Sequence, residues 1–106
     1  MRIARGSDLT ACWEHGRRLR ASHLDLAFRP NPKGHARVGV VVPRYQFTAV
    51  ARNRLRRRVK EILRRDVLRL PALTAVDLVV RAKRAAYAAS FAALRAELTD
   101  LVSRIT

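Results

Sequence analysis

A chain of 106 residues and 12.0 kDa has room for one small domain with one modest core, which excludes a second domain. Its 49% hydrophobic content excludes compositional disorder, and a formal charge of +15 with a pI near 11.8 calls for a polyanionic partner. A lone cysteine, Cys12, excludes an intrachain disulfide and a cysteine-cluster zinc site, and no apolar run reaches the roughly 18 to 20 residues of a membrane span.

In chain order, Arg2 and Arg5 form a basic lead-in without the apolar core of a signal peptide, so a cytoplasmic location is expected. Ser7 or Asp8 is placed to cap a short helix in which Leu9, Cys12 and Trp13 share a face and Gly16 is the stop. Arg17, Arg18 and Arg20 form a basic cluster before the first expected strand. From His23 to Arg29, Leu24, Leu26 and Phe28 alternate with Asp25, Ala27 and Arg29, the period of a strand with one apolar face. Pro30-Asn31-Pro32-Lys33-Gly34 is a turn signal, and the β-branched run from Arg37 to Val42 is expected to pair antiparallel with the first strand.

Pro43 ends that strand and Thr48 is the N-cap expected for a helix of about 22 residues, from Ala49 to a stop at Pro71. At 100° per residue Leu55, Val59, Ile62, Leu63 and Leu70 fall on one buried arc, with Arg52 at its edge. The remaining circumference carries Asn53, Arg54, Arg56, Arg57, Arg58, Lys60, Arg64 and Arg65, opposed only by Glu61. Like charges at i and i+4 cost a few tenths of a kcal/mol each, so the face demands a partner of opposite sign. The excess of Arg over Lys favours phosphate groups, which the planar guanidinium binds bidentately. Asp66 falls inside the apolar arc and needs an arginine partner or solvent.

Val76 to Arg81 reads as a third strand, central or covered because Val79 and Val80 are apolar on opposite faces, and parallel to one of the earlier strands. Asp77 reads as a turn residue beside it. An alanine-rich stretch then leads to a closing helix capped by Ser90, with Phe91, Leu94, Leu98, Leu101, Val102 and Ile105 on one side. The expected fold is α+β, a small single-domain αββαβα sandwich with a mixed sheet spanning residues 1–106.

Catalytic machinery is not evident. The eight carboxylates are scattered, with no two within two residues of each other, which gives no sign of a two-metal cluster. His15, His23 and His35 read as surface or RNA-contacting residues rather than an acid and base, and there is no glycine-rich phosphate loop. The pattern is that of a binder. Rival readings are a ribosomal-protein-like or RNA-chaperone binder of structured RNA, a duplex-DNA binder, and a membrane-surface helix, the last opposed by the flanking strand patterns.

The run Ala49-Val50-Ala51-Arg52-Asn53-Arg54-Leu55-Arg56-Arg57-Arg58-Val59-Lys60, following Arg37-Val38-Gly39-Val40-Val41-Val42 by a short loop, resembles the signature of the bacterial ribonuclease P protein subunit. The resemblance covers most of the chain. It implies an accessory subunit of a ribonucleoprotein that hydrolyses one phosphodiester to release the 5′ leader of precursor transfer RNA. The active site and its Mg2+ ions would reside in the RNA subunit, with no membrane and no obligate protein partner. It also implies a left-handed βαβ crossover, against the general right-handed rule.

Carried over by residue, Arg52, Asn53, Arg54, Arg56, Arg57 and Lys60 would meet the catalytic RNA. Leu9, Trp13, Ala27, Arg44, Tyr45 and Lys83 would line the groove for the precursor leader. Leu9 and Ala27 stand where the family commonly has aromatic residues, Tyr45 where it has a basic one, and Phe47-Thr48 where Gly-Asn is frequent.

Overall fold

The alternation around Leu26 does form a strand, β2 (Leu24–Pro30), in a computed structural model that describes residues 6–32, 34, 36–67 and 75–105. The basic lead-in, Lys33, His35 and the helix end expected at Leu70 and Pro71 lie outside the described residues. The next strand, β3 (Arg37–Val41), is not the hairpin partner of β2 that the sequence pattern suggested. Strand β4 (Val76–Ala82) lies between them, antiparallel to β2 and parallel to β3. The reason is visible in β4 itself. Leu78, Val79 and Val80 are all buried, so the strand must be covered on both faces, and the centre of the sheet provides that.

A fourth strand, β1 (Arg17–Arg20), occupies the other edge, giving the order β1-β2-β4-β3. It corrects the reading of Arg17, Arg18 and Arg20 as a basic cluster only. Three arginines on an edge strand oppose further strand addition by charge. Helix α1 (Gly6–His15) begins before Ser7, so neither Ser7 nor Asp8 stands outside it as the N-cap. At its end a Cβ on Gly16 would lie 2.5 Å from the Cys12 carbonyl oxygen and 2.6 Å from that of Phe28, so only glycine fits this corner.

Thr48 does cap helix α2 (Ala49–Ile62), its Oγ1 accepting from Ala51 N at 3.1 Å. The helix continues as a π-helical turn, Leu63–Val67, which brings Val67 into the core. Lys83 leads into a short 3-10 helix, Arg84–Ala88, and Ser90 caps helix α3 (Phe91–Ser103) as expected. Phe91 is an exception to the expected apolar side, being exposed, whereas Leu94, Leu98, Leu101 and Val102 are buried.

The two sheet faces are unequal. Leu24, Leu26, Val38, Leu78, Val80 and Ala82 join Leu55, Val59, Ile62 and Leu63 of the α2 segment and the α3 leucines in the main core. Each fully buried Val, Leu or Ile side chain among them contributes about 1.5 to 3 kcal/mol. The other face holds a smaller cluster in which Cys12, Leu9 and Trp13 of α1 pack on Ala27, Val79 and Val41. Burial pushes the Cys12 thiol up to about 11, and its Sγ lies 3.7 and 3.6 Å from the carbonyl oxygens of Ala27 and Asp77, so it is a packing group.

Asp77 is not a turn residue. It lies within β4, buried on the α1 side, with Arg37 donating from Nε and NH2 at 2.8 Å each and Asn31 donating at 2.9 Å. Asp66 finds the partner its position required, Arg95 of α3, at 3.0 Å.

Candidate nucleic-acid interface

Helix α2 divides along its length as its sequence dictates. Leu55, Val59 and Ile62 are buried, while Asn53, Arg54, Arg57 and Lys60 are exposed and Arg56 and Arg58 half-buried. Among the described residues, the side chains of Arg54, Arg56, Arg57, Arg58 and Lys60 make no ion pair or hydrogen bond. Glu61, the single opposing acid, is taken by Arg64 at 2.7 Å and Arg65 at 3.7 Å, beyond that group. Arg52 differs from its neighbours. It turns toward the sheet and its Nε donates to the Val42 carbonyl at 2.8 Å, fastening the start of the helix to the end of β3.

A second basic surface forms beside α1. The pairing register places Arg18 opposite Ala27, and Ala27 opposite Val79, so Arg18 and Arg81 emerge on the face that α1 only partly covers. Their guanidinium carbons stand 4.9 Å and 5.6 Å from the Trp13 ring, and Arg18 Nε also donates to the Trp13 carbonyl at 2.8 Å. Sequence reasoning had not assigned Arg18 or Arg81 to a site. Strand alternation extended from Val79 to Arg81 carried the signal.

The six residues expected along the leader groove fall into two groups. Leu9, Trp13 and Ala27 meet in the α1 cluster, but Ala27 has no exposed surface, so it is the floor beneath Cys12 and cannot itself touch a ligand. Arg44, Tyr45 and Lys83 gather where the parallel strands β3 and β4 end together. Arg44 is exposed, Tyr45 is half-buried, and Lys83 Nζ donates to the Ala21 carbonyl at 2.6 Å and pairs with Asp25 at 3.3 Å. Arg81 lies on the strand that joins the groups.

The loop between β3 and α2 is tightly held. Tyr45 and Gln46 both have positive φ, +48° and +71°, a conformation costly for residues with side chains. Phe47 N donates to the Arg44 carbonyl at 2.8 Å, Arg84 donates to the Tyr45 carbonyl at 3.2 Å, and the Tyr87 hydroxyl donates to the Pro43 carbonyl at 2.7 Å.

Six of the eight acidic residues serve the scaffold. Asp25, Glu61, Asp66, Asp77, Glu97 and Asp100 face Lys83, Arg64, Arg95, Arg37, His23 and Arg104 respectively at 2.7 to 3.3 Å. Among the described residues no three His, Cys, Asp or Glu side chains gather as a metal-binding group would, so this donor set does not suit Mg2+. Nor, among them, is any helix long and apolar enough to cross a membrane.

With so many uncompensated cations, the free chain repels itself. Its melting temperature is expected to rise with phosphate or added RNA in a thermal melt, and an unchanged value would mean that the charges are already compensated within the fold.

Comparison with known proteins agrees with this geometry. The family model described as Ribonuclease P matches residues 1–106. The ribonuclease P protein component of Acidothermus cellulolyticus is 39% identical over 111 residues, covering 99% of this chain and 88% of that protein. That of Desulfovibrio desulfuricans is 34% identical, covering 99% and 82%. The structure of the ribonuclease P protein from Thermotoga maritima matches with a TM-score of 0.86 at 29% identity, over 100% of this chain and 98% of that one. The chain belongs to the ribonuclease P protein family, the accessory protein subunits of a ribonucleoprotein endoribonuclease that processes transfer RNA.

Proposed function

We propose that the α2 face carrying Asn53, Arg54, Arg56, Arg57 and Lys60 docks on the sugar-phosphate framework of the catalytic RNA, while the α1 side of the sheet holds the single-stranded 5′ leader of precursor transfer RNA. The observation that carries the first half is the run of cations on α2 without an internal acid partner. Guanidinium groups on a rigid helix suit an A-form surface, whose deep major groove leaves backbone and shape as the features to be read. For the second half, Trp13, with the guanidinium carbons of Arg18 and Arg81 4.9 and 5.6 Å from its ring, offers an aromatic surface for a base next to cations for its phosphates.

Hydrolysis is assigned to the RNA, with Mg2+ held by the RNA and the substrate, because six of this chain's eight acids face its own basic groups. The chain's part is to raise affinity for the precursor and for those ions. Its compartment is then that of the precursor, the cytoplasm.

The leader assignment is tested by comparing a precursor with mature transfer RNA in binding to the reconstituted particle. The precursor should gain affinity from the protein, and Trp13→Ala should reduce that gain by about fivefold or more. Mature transfer RNA should bind the variant particle as it binds the wild type. Equal losses for both ligands would remove Trp13 from the leader path.

A further inference from the structure

One feature on the flank of α2 is absorbed by neither surface. Phe47 and Tyr87 stack with ring centroids 3.9 Å apart and planes within 3° of parallel, and Arg84 stands 5.6 Å from the Phe47 ring. These rings, with Ala51, Leu55, Arg54 and Arg58, line an open cavity of about 130 Å³ between α2 and the 3-10 helix. That is well below the roughly 300 to 1,000 Å³ of pockets for drug-sized ligands, yet several times the roughly 30 Å³ share of one water. Its scale and its aromatic wall suit one planar ring.

We propose that this cavity is a nucleobase slot, taking one unstacked base of the catalytic RNA against the Phe47–Tyr87 pair while Arg54 and Arg58 hold its flanking phosphates. The proposal rests on the docking of α2 to that RNA and specifies it further. Arg54 and Arg58 lie one turn apart on the slot side of α2 and make no internal ion pair, so they are available as its cationic rim. The same two residues connect the slot with the basic face of the helix, which favours RNA over an apolar peptide. Capture of one extruded base would give sequence or structure selectivity to an otherwise backbone-reading surface.

The loop is built to hold the wall in place. Phe47 directly follows the two residues with positive φ, and the Tyr87 hydroxyl is fixed to the Pro43 carbonyl at 2.7 Å. Neither ring has to be ordered when the RNA arrives, which removes part of the entropic cost of binding.

The test fills the slot without removing a charge. Ala51→Leu, a substitution favourable to helix and aimed into the cavity, should leave the circular dichroism spectrum unchanged. Polyphosphate, which has charge but no bases, should bind wild type and variant equally. The catalytic RNA should bind the variant at least about fivefold more weakly. Chemical probing of that RNA should reveal a base protected by the wild type and not by the variant.

Equal RNA affinity and identical protection would overturn the slot while leaving the α2 docking intact. Weaker polyphosphate binding by the variant would overturn it too, because the loss would then lie in the cations. Failure of wild-type chain to bind the catalytic RNA would instead sink the docking reading itself. If Ala51→Leu does not fold, Phe47→Leu carries the same test, with a matching loss expected and wild-type affinity again contradicting the proposal.

Discussion

Replacing Arg56, Arg57 and Lys60 together with alanine is expected to weaken binding to the catalytic RNA by about 10- to 100-fold near physiological salt. The salt dependence should flatten at the same time, by about 0.7 to 0.9 in the log-log slope per lost phosphate contact, or roughly 2 to 3 in all. Folding should survive, since none of the three makes an internal ion pair and their removal relieves i, i+4 repulsion. Arg52 is left out of this set because its bond to the Val42 carbonyl would mix a structural loss with the binding loss. Titration with labelled RNA at several salt concentrations measures both effects. Weakened binding with an unchanged slope would mean that the three side chains act through helix geometry and not through phosphates.

The largest expected change in stability comes from Asp77→Asn, at about 2 to 4 kcal/mol in urea unfolding near pH 7. Burial alone would raise the Asp77 carboxyl pKa, but hydrogen bonds from Arg37 and Asn31, with the charges of Arg37 and Arg29, outweigh it and hold the group below its usual value of 3.8. A carboxylate with a depressed folded pKa adds stability above its unfolded pKa and loses that contribution as pH falls through the folded one. The gap between wild type and variant should therefore be full above about pH 4 and close at lower pH. A gap that stayed constant into strong acid would show that lost packing, rather than charge, is responsible.

Local pattern predicted local structure well where burial and periodicity agreed. The arc of Leu55, Val59, Ile62 and Leu63 and the caps at Thr48 and Ser90 are each determined by residues within a few positions of one another. Strand partners are a different problem. The chain reverses between β2 and β3, but whether the two strands then touch depends on what else pairs with their inner edges, and β4 takes both. The reading of β4 as central or covered left its partners open, and its place between β2 and β3 overrides the local hairpin pattern.

Two other differences share a cause. Strand β1 has one apolar side chain, Leu19, too little for period two to register, and becomes a strand through its pairing with β2. Asp77 carries the charge of a turn residue, and Arg37 and Asn31, each forty or more positions away in sequence, make its burial tolerable. The basic α2 face was legible from composition and spacing. The cationic flanks of Trp13 and the Phe47–Tyr87 stack were not, since each joins residues from separate elements.

The most direct measurement of the central claim is cleavage of a precursor transfer RNA at low magnesium by the nuclease-treated chain alone, by the catalytic RNA alone, and by the two combined. The account predicts no cleavage by the chain, slow cleavage by the RNA, and a marked gain on combination that the Arg56, Arg57, Lys60 triple variant largely loses. Leader removal by the chain alone, or a triple variant as effective as wild type, would contradict it.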